Sequence, residues 1–578
     1  MEVEISDKYE KKNCDVLSVF KIPIAYLKNN LQLDDKTIVE LELNSLNKDD
    51  SSNSNSEKKN SSVYGKIFNT HGVLSQQIGG EMAKYYTTDT KYLKNTQKFL
   101  QSMPAFVGNS SNSNEECYTK WRSIKEDTSF NNKYGYIGWK GLEFINTQPT
   151  VMQIICSNDL LSPLFTCIFP ILFAFLPVLL LLPNMSFIEC MMVALSATQI
   201  GKLIFFGSSM NNTEKLWCVV SIGAFVVAAI QGFLGSKRTI KNLQDIQHKL
   251  DAFNRHVNST IQSIKLTQKL MGEIKNIRVT HGDFCAEMER HLKILHTISA
   301  DLSTVCLNNA DFFSTRMFLG TGNMLSVFYK MYADEEYHNT FLFSFGYNAY
   351  MENLREFHQK ITQKEVNITT FVSKSNPILK INGAVHPLIP NSKNNNVNLP
   401  RVSIISGANA SGKTTMLKSI FINTLLSQQY GYGFFKTFKM TPYSMLHCYL
   451  NISDTSNDDS LFQAEARQCK DILENIKTNE GKKHLAIFDE LFSGTNPNEA
   501  EECSTATLKY LAKMANVTAI ITTHYINTCD NLDNVSGVSN YYMGNDYKIT
   551  EGISKKNGGC KVLKELEFPE EILDDLKI

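Results

Sequence analysis

Residues 402–421 read Val402-Ser403-Ile404-Ile405-Ser406-Gly407-Ala408-Asn409-Ala410-Ser411-Gly412-Lys413-Thr414-Thr415-Met416-Leu417-Lys418-Ser419-Ile420-Phe421. A β-branched run leads into a complete phosphate-binding loop, Gly407 to Thr414 (G-A-N-A-S-G-K-T), and a helix-forming stretch follows it. Each fixed residue of such a loop has a task. Gly407 and Gly412 let the backbone turn its N–H groups toward nucleotide phosphates, Lys413 reaches the β and γ oxygens, and the Thr414 hydroxyl serves magnesium. The strand and helix on either side separate this pattern from a chance glycine-lysine turn. It predicts a nucleoside triphosphate site at the edge of an α/β sheet.

Two further segments point to the same edge. Leu485-Ala486-Ile487-Phe488-Asp489-Glu490 is an apolar run ending in two acids, as expected of a buried parallel strand whose C-terminal end faces the nucleotide. Asp489 would hold hydrated Mg2+, and Glu490 would orient or polarise the attacking water. A third strand, Val517 to Thr523, ends in His524, placed to sense the γ-phosphate. A lone histidine is more often structural; its place at the end of a third strand is what raises it.

Together these pieces resemble the MutS family of DNA mismatch repair ATPases. The loop with Asn409 at its third position is similar to the family's G-P-N-M-G-G-K-S. Asp489-Glu490-Leu491-Phe492-Ser493-Gly494-Thr495-Asn496 resembles D-E-I-G-R-G-T-S, Thr523-His524-Tyr525 resembles A-T-H-Y, and Ser460-Leu461-Phe462-Gln463-Ala464-Glu465 resembles S-T-F-M-V-E. Upstream, His386-Pro387-Leu388 resembles the H-P that opens the family's ATPase domain. Four ordered matches between Gly407 and Tyr525 are far more specific than one. The resemblance implies ATP and Mg2+ as cofactors, with Gly407, Asn409, Ser411, Gly412, Lys413, Thr414 and Thr415 around the nucleotide and Thr414 and Asp489 at the metal. Glu490, His524 and Lys413 would be the catalytic groups. It also implies a homodimer, or a heterodimer with a related subunit, in which Ser460 of one chain caps ATP held by the other. Without the resemblance, Ser460 reads as a turn residue after the polar stretch 453–459.

With 578 residues, 43% of them apolar, the chain has enough length for roughly three or four domains. Its 58 basic and 58 acidic residues cancel, so no bulk attraction to nucleic acid is visible, although a local basic groove is compatible with that balance. Thirteen cysteines include no C-x-x-C spacing, which speaks against a zinc site and for a reducing compartment. The opening residues Met1 to Asp7 are charged and do not read as a signal peptide.

Leu160 to Leu182 is a 23-residue stretch without a charge, and Leu216 to Ser236 another of 21. Each is long enough to cross a bilayer as a helix. Pro163, Pro170, Pro177 and Pro183 would damage a soluble helix and are better tolerated in lipid, where neighbours satisfy the freed carbonyls. A buried soluble hairpin is the competing reading. The intervening 187–207 carries Glu189 and Lys202, which favours two crossings with that piece interfacial or re-entrant. Lys237, Arg238 and Lys241 follow the second stretch, so the positive-inside bias puts the ATPase on the cytosolic side of a membrane.

Leu243, Ile246, Leu250, Phe253, Val257, Ile264, Met271 and Ile274, with Thr260 and Thr267 in the weaker slots, alternate three- and four-residue spacings, the pattern of a long helix with an apolar seam. In the MutS resemblance this is the lever between core and ATPase, and residues 63–105 are similar to the first part of the helical core. Asn47 to Ser62 is polar and low in complexity, with too little apolar surface to pack. Alternation in Thr37 to Leu43 suggests a small strand pair. The expected order is therefore an N-terminal strand-like segment and polar loop (1–62), the first part of a helical core (63–155), a transmembrane hairpin (156–236), a lever helix with the second part of the core (237–375), and an α/β P-loop ATPase domain of ABC type (376–578).

Mismatch-reading members carry an N-terminal Phe-x-Glu wedge. The N-terminal region here holds no such triplet, and Phe568-Pro569-Glu570 stands at the opposite end. Double-stranded or branched DNA is then an expected partner without mismatch specificity. Two other readings compete. An ABC-type transport component fits an ATPase joined to membrane helices, but the chain lacks an S-G-G-Q signature and its spans lack the polar groups of a transport path. A nucleotide-switched membrane scaffold with a degenerate site fits poorly with intact Lys413, Thr414, Asp489 and Glu490.

Overall fold

Six strands near the C-terminus form one sheet in the computed structural model, which describes residues 13–44, 62–70, 72–104, 111–181, 211–306, 315–390, 392–408, 411–450, 460–544, 546–553 and Pro569. The strands are β1 (Val402–Ser406), β2 (Met445–Tyr449), β3 (His484–Asp489), β4 (Val517–Thr523), β5 (Val538–Met543) and β6 (Ile549–Glu551). Their order across the sheet is β6-β5-β1-β4-β3-β2, with every pairing parallel except β5 with β6. Strand β1 is buried along its whole length, and so is β4, which is why both read as unbroken apolar or β-branched runs rather than alternating ones. Parallel neighbours need crossovers, supplied by helices α1 (Lys413–Tyr430), α2 (Leu461–Thr478) and α3 (Pro497–Ala512).

One face of the sheet packs Ile404, Phe488, Ala519 and Ile521 against Cys469, Ile476, Leu508 and Leu511 of α2 and α3. Helix α1 is buried from Ser419 through Tyr430, polar residues included. Those polar groups are paired. Gln428 Nε2 donates to Thr87 O (3.2 Å) and Tyr443 O (2.8 Å), and Gln429 Nε2 to Met82 O and Tyr85 O (both 2.8 Å). Burial of an amide is tolerable only on those terms.

The chain divides into two compact units: Met1–Asp15, Glu116–Gln262 and His291–Leu342 in one, Val16–Glu115, Ser263–Arg290 and Phe343–Ile578 in the other. The second unit holds the six-stranded sheet, a further five-stranded sheet ordered Asn395–Leu399, Leu379–Ala384, Thr437–Met440, Asn367–Phe371, Tyr432–Gly433, and a two-stranded pairing of Asn30–Gln32 with Tyr85–Thr87. Alternation over Thr37 to Leu43 does not produce a strand: Asp35–Glu40 is a helix. Asp34 starts it by accepting the Thr37 N–H at 2.9 Å, and a local cap of that kind outweighs a short period-two pattern.

The first unit is helical. Trp121, fully buried, stacks on Phe341 at 3.9 Å between ring centroids and meets Phe253 edge-on at 5.4 Å. Pro149–Leu181 is one helix of 33 residues with Pro163, Pro170 and Pro177 inside it, and Asn212–Gly272 is one of 61, whose residues from Ser263 onward belong to the second unit. Along the latter the expected seam is buried: Leu243, Ile246, Leu250, Phe253, Val257, Thr260, Ile264, Thr267 and Met271 all lie inside. Its first part is the reverse. Trp217, Val219, Val227 and Phe233 are more than half exposed, and the best 18-residue window has mean hydropathy 2.1 with 6% buried. The two helices approach where Ser236 Oγ donates to Asp159 O (2.8 Å) and Leu160 O (3.2 Å). The expected interfacial or re-entrant piece 187–207, the polar stretch 47–61, Phe568 and Glu570 lie outside the described residues.

Candidate functional site

Parallel topology brings the C-terminal ends of β1, β3 and β4 to one edge, and the residues singled out above follow directly from those ends. The loop after β1 closes on Gly412, which caps α1 with φ +92°, a left-handed conformation costly for any residue with a Cβ. Lys413, 5% exposed, turns back over the loop: its Nζ donates to Gly407 O (2.9 Å) and Ala408 O (3.1 Å) and lies 3.4 Å from Glu490 Oε1. Thr414 Oγ1 donates to Asp489 Oδ2 at 2.7 Å. Asn409 lies outside the described residues.

At the end of β3, the acids are held separately. Asp489 Oδ1 accepts from Thr522 Oγ1 at 2.5 Å, and the Glu490 N–H donates to that same threonine oxygen at 3.1 Å. Glu490 has φ +47°, an unusual conformation for a residue with a side chain. Its carboxylate sits between Lys413 and His524, whose Nδ1 is 3.7 Å from Oε2. The His524 imidazole, with the Lys413 ammonium on the other side, holds the Glu490 carboxyl below the usual glutamate range despite partial burial. Glu490 is thus kept as a carboxylate at neutral pH, the form a water-orienting group needs.

A cleft of about 690 Å3 opens beside these groups, lined by Ser411, Lys413, Thr414, Thr415, Asp489 and Glu490 on one side and by residues such as His386, Lys393, Asn395 and Tyr547 on the other. The donor set fits a nucleotide phosphate. Within the described residues, Ser411 Oγ and Ser419 Oγ, both lining the cleft, are buried with no hydrogen-bond partner. Buried hydroxyls left in that state are a cost that an oxygen-rich anion would remove. Thr414 and Asp489, already in contact, present the hydroxyl and carboxylate oxygens that suit a hard divalent cation.

Ser460 sits elsewhere. It caps α2, accepting the Gln463 N–H at 3.4 Å while its own N–H donates to Gln463 Oε1 at 3.0 Å, and it is exposed. It does not line its own chain's cleft. One turn further on, buried Glu465 accepts from Ser493 Oγ (2.7 Å) and the Gly494 N–H (3.1 Å), tying α2 to the loop that follows Asp489-Glu490. A Cβ on Gly494 would fall 2.7 Å from Leu461 Cγ, so the close approach requires glycine. Glu465 stands inside the Ser460–Glu465 segment and Thr522 inside the strand Val517 to Thr523, and the sequence alone marks neither with a task. Thr522 reads as one more β-branched strand residue, and its contacts follow from the β3–β4 register that pairs Asp489 with Thr522.

Residues 403–577 match the family model described as MutS domain V. An endonuclease MutS2 from Thermus thermophilus is 28% identical over 204 residues, which is 33% of this chain and 26% of that protein. One from Caldicellulosiruptor saccharolyticus is 33% identical over 178 residues, 29% of this chain and 22% of the relative. The DNA mismatch repair protein MutS of Aquifex pyrophilus is 26% identical over 186 residues, 30% of this chain and 21% of its own length. The chain thus spans about a quarter of the length of these curated relatives. The family match covers the six-stranded sheet except Val402 and the cleft wall formed by Ser411 to Thr415, Asp489 and Glu490, but not the wall with His386, Lys393 and Asn395, and in that region the chain is similar to MutS domain V.

Proposed function

We propose that residues 376–578 form a P-loop ATPase domain of ABC type that binds and hydrolyses ATP with Mg2+. The single observation that carries this reading is the convergence of Lys413, Thr414, Asp489 and Glu490 on one cleft at the C-terminal edge of a parallel sheet. Mg2+ would supply charge neutralisation for the phosphate oxygens, with Thr414 and Asp489 holding it. Lys413 releases its contacts to Gly407 O and Ala408 O and turns to the phosphates. Glu490, ionised and steadied by His524, orients the attacking water. Ser411 and Thr415 complete the loop's contacts, together with Asn409. Phosphate release by the purified protein tests the reading: Glu490→Gln should bind ATP and fail to turn it over. Equal turnover by this variant and the wild type would sink the hydrolytic assignment.

The dimer belongs to the same proposal. Ser460 is exposed at the N-terminus of a helix tied through Glu465 to the loop after the acids, which supports a role toward a second copy or a related subunit. ATP would then close the pair and hydrolysis reopen it, converting nucleotide state into movement. Relatives named for DNA mismatch repair and endonuclease action support DNA as the client; contact through its backbone without mismatch specificity is the form of binding the sequence leads us to expect. Binding to homoduplex, mismatched and branched DNA over a salt series tests this, and equal, steeply salt-dependent binding to all three is the expected result.

Residues 160–182 and 216–236 we read as a membrane hairpin with the ATPase on the cytosolic side. The exposed apolar length of the 61-residue helix supports it, because a core helix of a soluble protein would be buried. Lys237, Arg238 and Lys241 at its end support the orientation. Resistance of the protein to alkaline carbonate extraction, and protease protection of a tag placed between the two stretches, are the expected observations.

A further inference from the structure

We propose that Thr522 is the positioning residue that fixes both acids of the site, and through Asp489 sets the affinity for Mg2+; this rests on the ATPase reading given above. Its side chain is fully buried and its one hydroxyl does two things at once. It donates to Asp489 Oδ1 and accepts the N–H of Glu490. The two residues it holds are consecutive, so a single oxygen ties both the carboxylate of the first and the peptide of the second to strand β4.

Asp489 has two hydroxyl partners, one on each oxygen: Thr414 on Oδ2 and Thr522 on Oδ1. Thr414 is the residue whose hydroxyl oxygen suits the metal. Thr522 is on a different strand, is fully enclosed, and does not line the cleft. It is therefore the partner free to keep the carboxylate in one plane whatever Thr414 does. The contact to the Glu490 N–H has a second consequence. Glu490 leaves the strand at φ +47°, and this unusual turn directs its carboxylate toward Lys413 and His524. Anchoring its amide is the means on hand to hold that conformation. Outer partners of metal-holding carboxylates act in this way generally, orienting a ligand they do not replace.

The experiment is equilibrium binding of a fluorescent ATP analogue to the full-length protein, in EDTA and across a Mg2+ series. Thr522→Val removes the hydroxyl and keeps the shape, and Thr522→Ser returns it. In T522V the half-saturating Mg2+ should rise roughly 10- to 100-fold, the range seen when an outer partner of a metal ligand is lost, with affinity in EDTA unchanged. T522S should restore the wild-type Mg2+ dependence. Should T522V not fold, Thr522→Cys replaces it, and its weaker donor should give a smaller shift in the same direction. An unshifted Mg2+ curve in T522V or its replacement overturns the proposal. So does equal loss of binding in EDTA and in Mg2+, which marks a merely structural residue, or failure of a folded T522S to restore the curve. If the wild type binds no nucleotide, the ATPase reading itself has failed, a result that the wild-type control separates from the others.

Discussion

The sheet edge around residues 407–524 and the helix pair around residues 149–236 solve opposite problems. At the sheet edge, charged groups are packed closely and almost every one is held by a named partner: Lys413 by two carbonyls, Asp489 by two threonines, Glu490 by a lysine and a histidine. In the helix pair the distinguishing feature is a scarcity of polar groups, with apolar side chains such as Trp217 and Phe233 left outside. The first arrangement makes sense in the presence of a charged ligand, the second in the presence of a non-aqueous neighbour. Each region is thus recognisable by what its described residues leave unsatisfied, the orphaned Ser411 and Ser419 hydroxyls of the cleft in one case and uncovered hydrocarbon in the other.

The largest effect is expected from Lys413→Ala. Losing a buried, charge-assisted contact costs roughly 2–5 kcal/mol, so nucleotide affinity should fall from about 30-fold to several thousand-fold, read by equilibrium binding. Membrane association of the same variant should be untouched. Retained ATP affinity would break the link drawn between the cleft and the phosphate loop.

Val226→Arg makes the converse change. Val226 lies near the middle of the 216–236 stretch and is about half exposed. A cation at the centre of a membrane helix costs about 2.5–3.5 kcal/mol on insertion scales, so the carbonate-resistant fraction should drop. Solubilised protein should bind ATP as before. Unchanged extraction would mean that the exposed face meets something other than lipid.

These two regions were also unequally legible in the sequence. Motifs at the sheet edge were readable because phosphate and metal chemistry demands particular residues at fixed spacing, and because strands covered on both faces form continuous apolar runs. What stayed hidden there were the partners, Thr522 and Glu465, whose roles exist only once strand register and helix placement are known. The five-stranded sheet was not anticipated at all. Its strands are short, with alternating burial, as in Asn367–Phe371 and Asn395–Leu399, and two of its five members, Tyr432–Gly433 and Thr437–Met440, come from beyond α1. In the helical region the seam from Leu243 to Met271 was legible because one period persists over many turns. A seven-residue alternation from Thr37 to Leu43 carried no such redundancy, and the Asp34 cap decided the outcome.

Glu465→Ala probes the tie between α2 and the loop after the acids. It removes the buried, charged acceptor of the exposed Ser493 hydroxyl and of the half-buried Gly494 N–H, a loss of about 1–3 kcal/mol seen as a lower melting temperature. Turnover should fall further than binding, since the tie reaches the Glu490 loop rather than the phosphates. If stability drops and turnover per folded molecule does not, α2 is joined to the site only mechanically.

The smallest effect concerns how the helix pair accommodates Pro163. A proline has no N–H to offer the carbonyl four residues back, which here is Asp159 O, and Ser236 Oγ from the other helix donates to that oxygen at 2.8 Å. Gly232 permits the approach, because a Cβ there would lie 3.1 Å from Ser162 Oγ. Serine thus replaces the bond that proline removed, and this is why a helix with three internal prolines persists at this point. Ser236→Ala should cost about 1 kcal/mol or less, measured as thermal stability in detergent. Pro163→Ala restores an N–H for Asp159 O, so in that background Ser236→Ala should cost little, giving a coupling of about 0.5–1 kcal/mol in the double-mutant cycle. Strict additivity would mean that Ser236 contributes only through its bonds to Leu160 O and Gly232 O, and that the Pro163 gap is closed by something other than the second helix.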